Sequence, residues 1–229
     1  METEVRERRL IHGTFEWPDF EEMFAERLAA EDFSDATVLD LGTGKGRLAL
    51  RLAPRAKIVV GIDIDETALA AARDRARALG ISNVNFLPAD AETANYRLLV
   101  RSPLDYVVAN YFMSEPAIHT TAKGLRPGGK LLFACHHTDQ WIESGRVGRF
   151  SFGEAQMRAV LAANGMAVEF LGVERVVVAY AGLAELAAAH PDLREKFGGD
   201  GRWGELARRF GGGPVQLTWA TLVGVASKS

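Results

Sequence analysis

The sequence predicts an α/β fold whose sheet is mostly parallel and carries helices on both faces. Apolar strand patterns alternate with helical patterns along the 229 residues, and parallel strands require crossover connections of this kind. Two glycine turns fall between such elements, LGTGKG at 41–46 and PGG at 127–129. At 48% hydrophobic residues, the chain can bury a core as one domain, and we expect residues 1–34 to form a helical segment at its start.

Seven strands can be placed from the hydrophobic pattern. The first, VLDL, passes through the glycine turn into a helix that begins near Arg47. A second helix is expected at 66–80, because apolar and charged faces alternate there and Gly80 is a common C-terminal signal. The other strands are expected at KIVVGIDID (57–65), NVNFLPAD (83–90), LDYVVANYFM (104–113), LRPGGKLLFACHH (125–137), MAVEFLGVERVVVAY (166–180) and VQLTWATLVGVAS (215–227).

The stretch VLDLGTGKGRLAL at 38–50 predicts a ligand site. Glycine adopts backbone angles closed to other residues and, without a Cβ, lets a ligand lie against the main chain. The helix N-terminus that follows presents free N–H groups to such a ligand. A dinucleotide-binding turn requires a third glycine or alanine at the position of Arg47. The spacing therefore argues against an NAD-dependent oxidoreductase.

The pattern D-x-G-x-G-x-G, formed by Asp40, Gly42, Gly44 and Gly46, resembles the first motif of the class I S-adenosylmethionine (SAM)-dependent methyltransferases. The LRPGG turn follows in the order typical of that family, and the resemblance extends from about residue 35 to 137, with a looser fit to 229. It implies a Rossmann-like sheet with strand order 3-2-1-4-5-7-6, in which the seventh strand is antiparallel to the rest. It also implies SAM as the cofactor.

The resemblance assigns roles to residues at the carboxyl ends of the strands. Asp40 would help to hold the ammonium group of SAM, Asp63 would accept hydrogen bonds from the ribose hydroxyls, and Ile64 would pack on the adenine. Asp90, unless it only caps a helix, would meet the adenine amino edge, and Tyr111, unless it is a core aromatic, would face the methyl group. The implied cofactor-binding set is Asp40, Gly42, Thr43, Gly44, Gly46, Asp63, Ile64, Asp90, Ala91, Asn110 and Tyr111.

No catalytic residue can be identified from the pattern, because the sulfonium is already an activated leaving group and alignment of the acceptor can supply most of the catalysis. His136, His137 and Tyr111 are weak candidates, and polar loop residues without chemistry are the alternative for the histidines. We expect no metal site, since the paired aspartates of some small-molecule O-methyltransferases are missing. Trp17 is a further candidate to cover the methionine end of SAM.

Composition narrows the class of protein. A net charge of −3 weighs against nucleic acid as a partner. No apolar run is long enough to span a membrane, and no signal peptide is apparent. The single cysteine, Cys135, excludes a disulfide framework and an iron–sulfur cluster. We therefore expect a cytoplasmic enzyme, as a monomer or homodimer.

The expected reaction is transfer of the methyl group of SAM to an O, N or C nucleophile, with a small molecule as the preferred acceptor. The alternatives are a SAM-binding protein without transfer activity and a methyltransferase that acts on RNA or protein. A helical insert at 181–213, between the last two strands, could cover the acceptor or form an assembly contact. Glycines at 198–201 and 211–213 would be its hinges, and Leu183, Leu186, Ala187 and His190 share a face that could turn toward the acceptor.

Overall fold

A computed structural model describes residues 2–14, 22–148 and 150–229. Within these residues the chain forms one sheet of eight strands with helices on both faces, which confirms the predicted fold class. The strands are β1 (Glu4–Ile11), β2 (Thr37–Leu41), β3 (Ile58–Asp63), β4 (Val84–Pro88), β5 (Leu104–Asn110), β6 (Leu125–His136), β7 (Met166–Tyr180) and β8 (Val215–Lys228).

Nine α-helices lie in the described residues. They are α1 (Glu22–Ala30), α2 (Arg47–Leu52), α3 (Glu66–Ala78), α4 (Tyr96–Val100), α5 (Glu115–Gly124), α6 (Glu154–Ala163), α7 (Leu183–Ala189), α8 (Pro191–Asp200) and α9 (Arg202–Phe210). Helices α1, α2 and α3 pack on one face of the sheet, and α4, α5 and α6 pack on the other, each around its own apolar cluster.

The strand order is β1-β7-β8-β6-β5-β2-β3-β4. Strands β2 to β8 reproduce the order that the family resemblance implies, and β8 runs antiparallel to both β6 and β7. Strand β2 is paired in parallel with β3 on one side and with β5 on the other, and all five of its residues are buried. A strand enclosed in this way reads as a continuous apolar run, which is why the pattern located it.

The eighth strand is a correction to the sequence analysis, which expected a helical segment over residues 1–34 and seven strands. Residues Glu4–Ile11 pair in parallel with the outer edge of β7. Their sequence, EVRERRLI, is too charged to show a strand period, and ion pairs help to hold it. Arg8 contacts the buried carboxylate of Glu174 at 2.9 Å, and Arg6 forms a two-pronged pair with Glu26. Backbone pairing and charge complementarity, rather than apolar alternation, define this edge.

The helical insert begins where β7 ends, at the same edge of the sheet as the other parallel strand ends. Each helix of the insert fully buries a large apolar side chain, Leu186, Phe197 or Leu206. These side chains form a third apolar cluster with the end of β7 and the beginning of β8. Trp141, from the loop after β6, joins this cluster, and its ring centroid lies 5.2 Å from that of Phe197. The insert therefore spans from the outer strands to the loop that follows β6.

The glycines predicted as hinges differ in backbone conformation. Gly198 and Gly199 lie inside α8, as part of its last turn. Gly201, with φ of +85°, separates α8 from α9, and Gly211, with φ of +58°, ends α9. Only the latter two therefore need a backbone conformation that other residues rarely adopt.

This difference predicts opposite effects on stability for two neighbouring substitutions. Gly199→Ala should raise the free energy of unfolding by about 0.4–1 kcal/mol, because alanine loses less freedom on entering a helix and its Cβ would meet no atom within 4 Å. Gly201→Ala should lower it by about 1–2 kcal/mol, because of its left-handed backbone. Urea denaturation of both variants would measure the two changes. Equal losses would mean that Gly199 is not helical.

Candidate functional site

The glycine turn between β2 and α2 has three residues with positive φ: Gly42, Gly44 and Gly46. A Cβ on Gly42 would lie 2.8 Å from Phe112, and one on Gly46 would lie 2.8 Å from Phe86. A Cβ on Gly44 would meet nothing within 4 Å. Two of the glycines are therefore required by packing inside the protein, whereas Gly44 presents its backbone to open space.

Asp40 lies beneath this turn and is almost fully buried. Its Oδ2 accepts hydrogen bonds from the hydroxyl of Thr43 at 2.7 Å and from the N–H of Ala49 at 3.1 Å. Burial raises the pKa of Asp40 to about 7, the negative charge of Asp63 adds to the rise, and the two hydrogen bonds oppose it. A buried carboxylate with a raised pKa favours a cationic group beside it.

Asp63 and Ile64 follow at the end of β3. Asp63 accepts hydrogen bonds from the N–H of Gly44 at 2.8 Å and from the N–H of Asp65 at 2.9 Å, one on each oxygen. A carboxylate has about four acceptor positions, so each oxygen can accept another donor. The side chain of Ile64 is 78% exposed, more than any other large apolar side chain in the described residues. It offers an apolar surface next to a hydrogen-bond acceptor.

Asp90 and Ala91 lie after β4. Asp90 does not cap a helix, since α4 begins only at Tyr96 with Asn95 as its cap. Its carboxylate instead accepts from the N–H of Glu92 at 2.9 Å and thereby orders the loop. Ala91 is buried in the core, and its carbonyl accepts a hydrogen bond from the hydroxyl of Tyr96 at 2.6 Å. Its role toward a ligand stays a prediction.

Asn110 ends β5 and contributes to a cavity of about 350 Å³, the glycine-turn cavity. Its side-chain Oδ1 is buried, and among the described residues it has no hydrogen-bond partner. A buried polar atom without a partner costs about 1–3 kcal/mol, so a donor supplied by a ligand would remove this penalty. The cavity is lined by Asp40, Gly42, Thr43, Lys45, Arg47, Leu48, Arg75 and Asn110.

Tyr111 is neither core nor ordinary loop. Its φ is +58° and its side chain is 40% exposed, while Phe112 next to it packs against the core. The core-aromatic alternative therefore applies to Phe112 and not to Tyr111. The N–H of Tyr111 donates to the carbonyl of Ala134 at 2.7 Å, and its hydroxyl lies 3.2 Å from the hydroxyl of Thr221. These contacts hold a backbone conformation that L-residues disfavour, a feature often found at functional sites.

His136 lies between the rings of two aromatic residues whose backbone φ is positive. Its ring centroid is 5.0 Å from that of Tyr111 and 5.8 Å from that of Trp141, whose φ is +57°. The His136 Nδ1 is buried and, in the described part of the chain, has no hydrogen-bond partner. Burial lowers the pKa of His136, and the charge of Lys196 lowers it further. The ring is therefore held neutral, with a nitrogen available for a hydrogen bond.

The adjacent His137 differs, because both of its ring nitrogens are engaged. Nε2 lies 2.9 Å from a carboxylate oxygen of Glu154, and Nδ1 accepts the N–H of Asp139 at 3.1 Å. This histidine orders the loop after β6, and its nitrogens are not available as a base. Within the described ranges, no group of three or more His, Cys, Asp or Glu side chains is arranged to hold a metal ion.

A second cavity of about 380 Å³ opens beside His136, and we call it the histidine cavity. The loop after β6 forms one wall and α8 and α9 form the other, with Lys196, Asp200 and Arg202 as the contribution of the insert. The predicted face of α7 does not line it. Leu186 is buried in the third cluster, and His190 bonds the hydroxyl of Tyr180 at 2.8 Å. No sequence motif points to Trp141, Lys196 or Arg202.

Two further expectations concern Trp17 and membrane-spanning helices. Trp17 lies outside the described residues. No helix in the described ranges is both long and apolar enough to cross a membrane.

The fold and motifs agree with known proteins. A family model described as a methyltransferase domain matches residues 32–171. A ribosomal protein L11 methyltransferase of Azotobacter vinelandii is 39% identical over 113 residues, which are 46% of this chain and 36% of that protein. The chain thus spans little more than a third of that curated relative.

Two solved structures share the fold at low identity. The YcgJ protein of Bacillus subtilis superposes with a TM-score of 0.68 at 19% identity, over 91% of this chain and 99% of its own. Magnesium protoporphyrin IX methyltransferase (ChlM) of Synechocystis PCC 6803, solved with bound SAH, gives a TM-score of 0.57 at 16% identity, over 90% of this chain and 80% of its own.

The family model covers more than half of the chain, and the sheet has the strand order of that family. This protein belongs to the class I SAM-dependent methyltransferases, and SAM is the cofactor of the enzyme.

Proposed function

We propose that this methyltransferase acts on a small-molecule acceptor bound in the histidine cavity. The observation that carries the proposal is the position of Tyr111 between the two cavities. Asn110, its chain neighbour, lines the glycine-turn cavity, and His136, its ring neighbour, lines the histidine cavity. A cofactor on one side and an acceptor on the other would meet at Tyr111.

We further propose that the glycine-turn cavity receives the amino-acid end of SAM. Gly44 offers an open backbone, Asp40 offers a buried carboxylate, and Asn110 Oδ1 offers an acceptor that the described residues do not satisfy. Asp63 and Ile64 would hold the ribose and the adenine, and Asp90 and Ala91 would lie at the far end of the base. SAM supplies a methyl group on a sulfonium, which needs alignment more than activation.

On the acceptor side, His136 is the proposed hydrogen-bond partner of the nucleophile. Its neutral ring could take the acceptor proton as the methyl group is transferred. Tyr111 would limit the approach to the methyl carbon, and the helical insert would exclude water with α8 and α9. A histidine cavity of about 380 Å³ matches the usual size of small-molecule sites. A cytoplasmic location, and a monomer or homodimer as the assembly, stay predictions from the sequence.

Gly44→Ala tests the assignment of the cofactor site. The added methyl group would fill the space next to the turn, so binding of S-adenosylhomocysteine (SAH) should weaken at least about tenfold, or about 1.4 kcal/mol, in calorimetry. Gly80→Ala is the matched control, because Gly80 also has positive φ and open space around its missing Cβ. The two variants should lose similar stability. If both bind SAH as tightly as the wild type, the ligand does not touch Gly44.

The raised pKa of Asp40 predicts a pH dependence of SAH binding. The free carboxyl is mostly neutral below its pKa of about 7, and the ligand ammonium group favours the ionised form. Affinity should therefore fall as the pH is lowered from 8 to 5.5, by at most about tenfold per pH unit. Asp40→Asn should bind more weakly at pH 8 and lose most of this dependence, and its residual slope reports the other groups. An unchanged slope in the variant would show that another residue carries the effect.

The class of acceptor can be tested by following the methyl group. An extract is separated by size, and each fraction is incubated with the protein and SAM labelled at the methyl group. We expect label in the low-molecular-weight fraction, because the proposed acceptor lies in a cavity and not on a surface. Label in protein would instead favour an acceptor like that named for the Azotobacter relative, and label in RNA would favour a nucleic-acid acceptor. Gly44→Ala is the control that should transfer less label at a limiting concentration of SAM, and an inactive wild type that still binds SAH would indicate a binding protein.

A further inference from the structure

The histidine cavity carries an excess of positive charge. Arg146, Lys196 and Arg202 line it together with one acidic residue, Asp200. Asp200 is engaged by Arg202, whose Nη2 lies 2.6 Å from its Oδ2. Among the described residues, neither Arg146 nor Lys196 lies within 4.0 Å of a carboxylate in an ion pair. Two cations therefore remain at the wall of the cavity.

Three acidic residues of the loop after β6 and of α9 have partners of their own. The carboxylate of Glu143 is buried and accepts from the N–H and the hydroxyl of Thr218. Glu205 pairs with Arg208. Asp139 pairs with Arg175, whose Nη2 lies 2.6 Å from its Oδ2. Arg202 lowers the pKa of Asp200 and Arg146 adds to the effect, so two arginines share the one carboxylate of the lining and an excess of positive charge remains.

Apolar and aromatic residues form a further part of the lining. Trp141, Val147 and Phe150 border the cavity, and the side chains of Val147 and Phe150 are 62% and 55% exposed. The ammonium group of Lys196 lies 5.1 Å from the centre of the Trp141 ring. A flat ring beside Trp141 would cover apolar surface that is now in water, while its substituent reached the cations.

The lining combines two kinds of group. His136, next to Tyr111, and the cations Arg146 on the loop and Lys196 on α8 all border the same cavity. We propose that the acceptor is an aromatic anion, with its nucleophile at His136 and its carboxylate or phosphate group at Arg146 and Lys196. This inference rests on the proposed small-molecule function and adds the substrate class.

Binding of matched probes to the full chain, with saturating SAH, tests the inference without turnover. The probes are 4-hydroxybenzoate, its neutral isostere 4-hydroxybenzamide, the cation 4-hydroxybenzylamine and 4-hydroxyphenyl phosphate. We expect at least one anion to bind about tenfold more tightly than the amide, with the amine weakest, since charge-assisted hydrogen bonds are stronger than neutral ones. Titration by calorimetry gives the affinities. The two anions distinguish a carboxylate from a phosphate acceptor.

Lys196→Gln and Arg146→Gln should each reduce the preference for the anion and leave SAH binding unchanged. Arg209→Gln is the matched control, because Arg209 is exposed on α9, carries the same charge and does not line the cavity. If the anions bind no better than the amide, or if no probe binds, the inference is wrong while the methyltransferase function stands. If the wild-type protein did not bind SAH at all, the proposed function itself would be contradicted.

Discussion

The parallel pairing of β2 with β3 and β5 is the constraint on which the site depends. Leu41, the last residue of β2, is opposite Ile62 on one side and Ala109 on the other. The residues that follow these three positions in the chain are Gly42, Asp63 and Asn110. They meet at one edge of the sheet because parallel strands end together. The same pairing continues outward, since Asn110 is opposite Ala134 and His136 follows two residues later. One register thus positions both the glycine-turn cavity and the histidine cavity.

The features that could be predicted from the sequence are those with a local sequence signal. Buried parallel strands leave long apolar runs, and the glycine turn is constrained by packing against Phe86 and Phe112, so both have strong local signals. Strand β1 has none, because ion pairs and backbone hydrogen bonds hold it. The histidine cavity has none either. Its residues come from β6, the following loop and two helices of the insert, and only the tertiary fold brings them together.

Several unfavourable features collect where the two cavities meet. Tyr111 and Trp141 hold positive φ, Asp40 is a buried carboxylate, and Asn110 and His136 each have a buried polar atom that the described residues do not satisfy. Each would cost on the order of 1–3 kcal/mol. Such costs persist when ligand groups recover them on binding, and a ligand that binds only the folded protein also stabilises it. These are the costs that the proposed ligands would recover on binding.

The packing of the helical insert argues that it is a fixed wall of the histidine cavity and not a hinged cover. Phe197 and Leu206 have no exposed surface and belong to the same cluster as the ends of β7 and β8. Lifting α8 and α9 away would expose both side chains, at about 1.5–3 kcal/mol each, and would separate Phe197 from Trp141. Gly198 and Gly199, inside a helix, provide no hinge for such a motion. The loop after β6 is the better route for an acceptor, because Val147 and Phe150 are already in water at the border of the cavity.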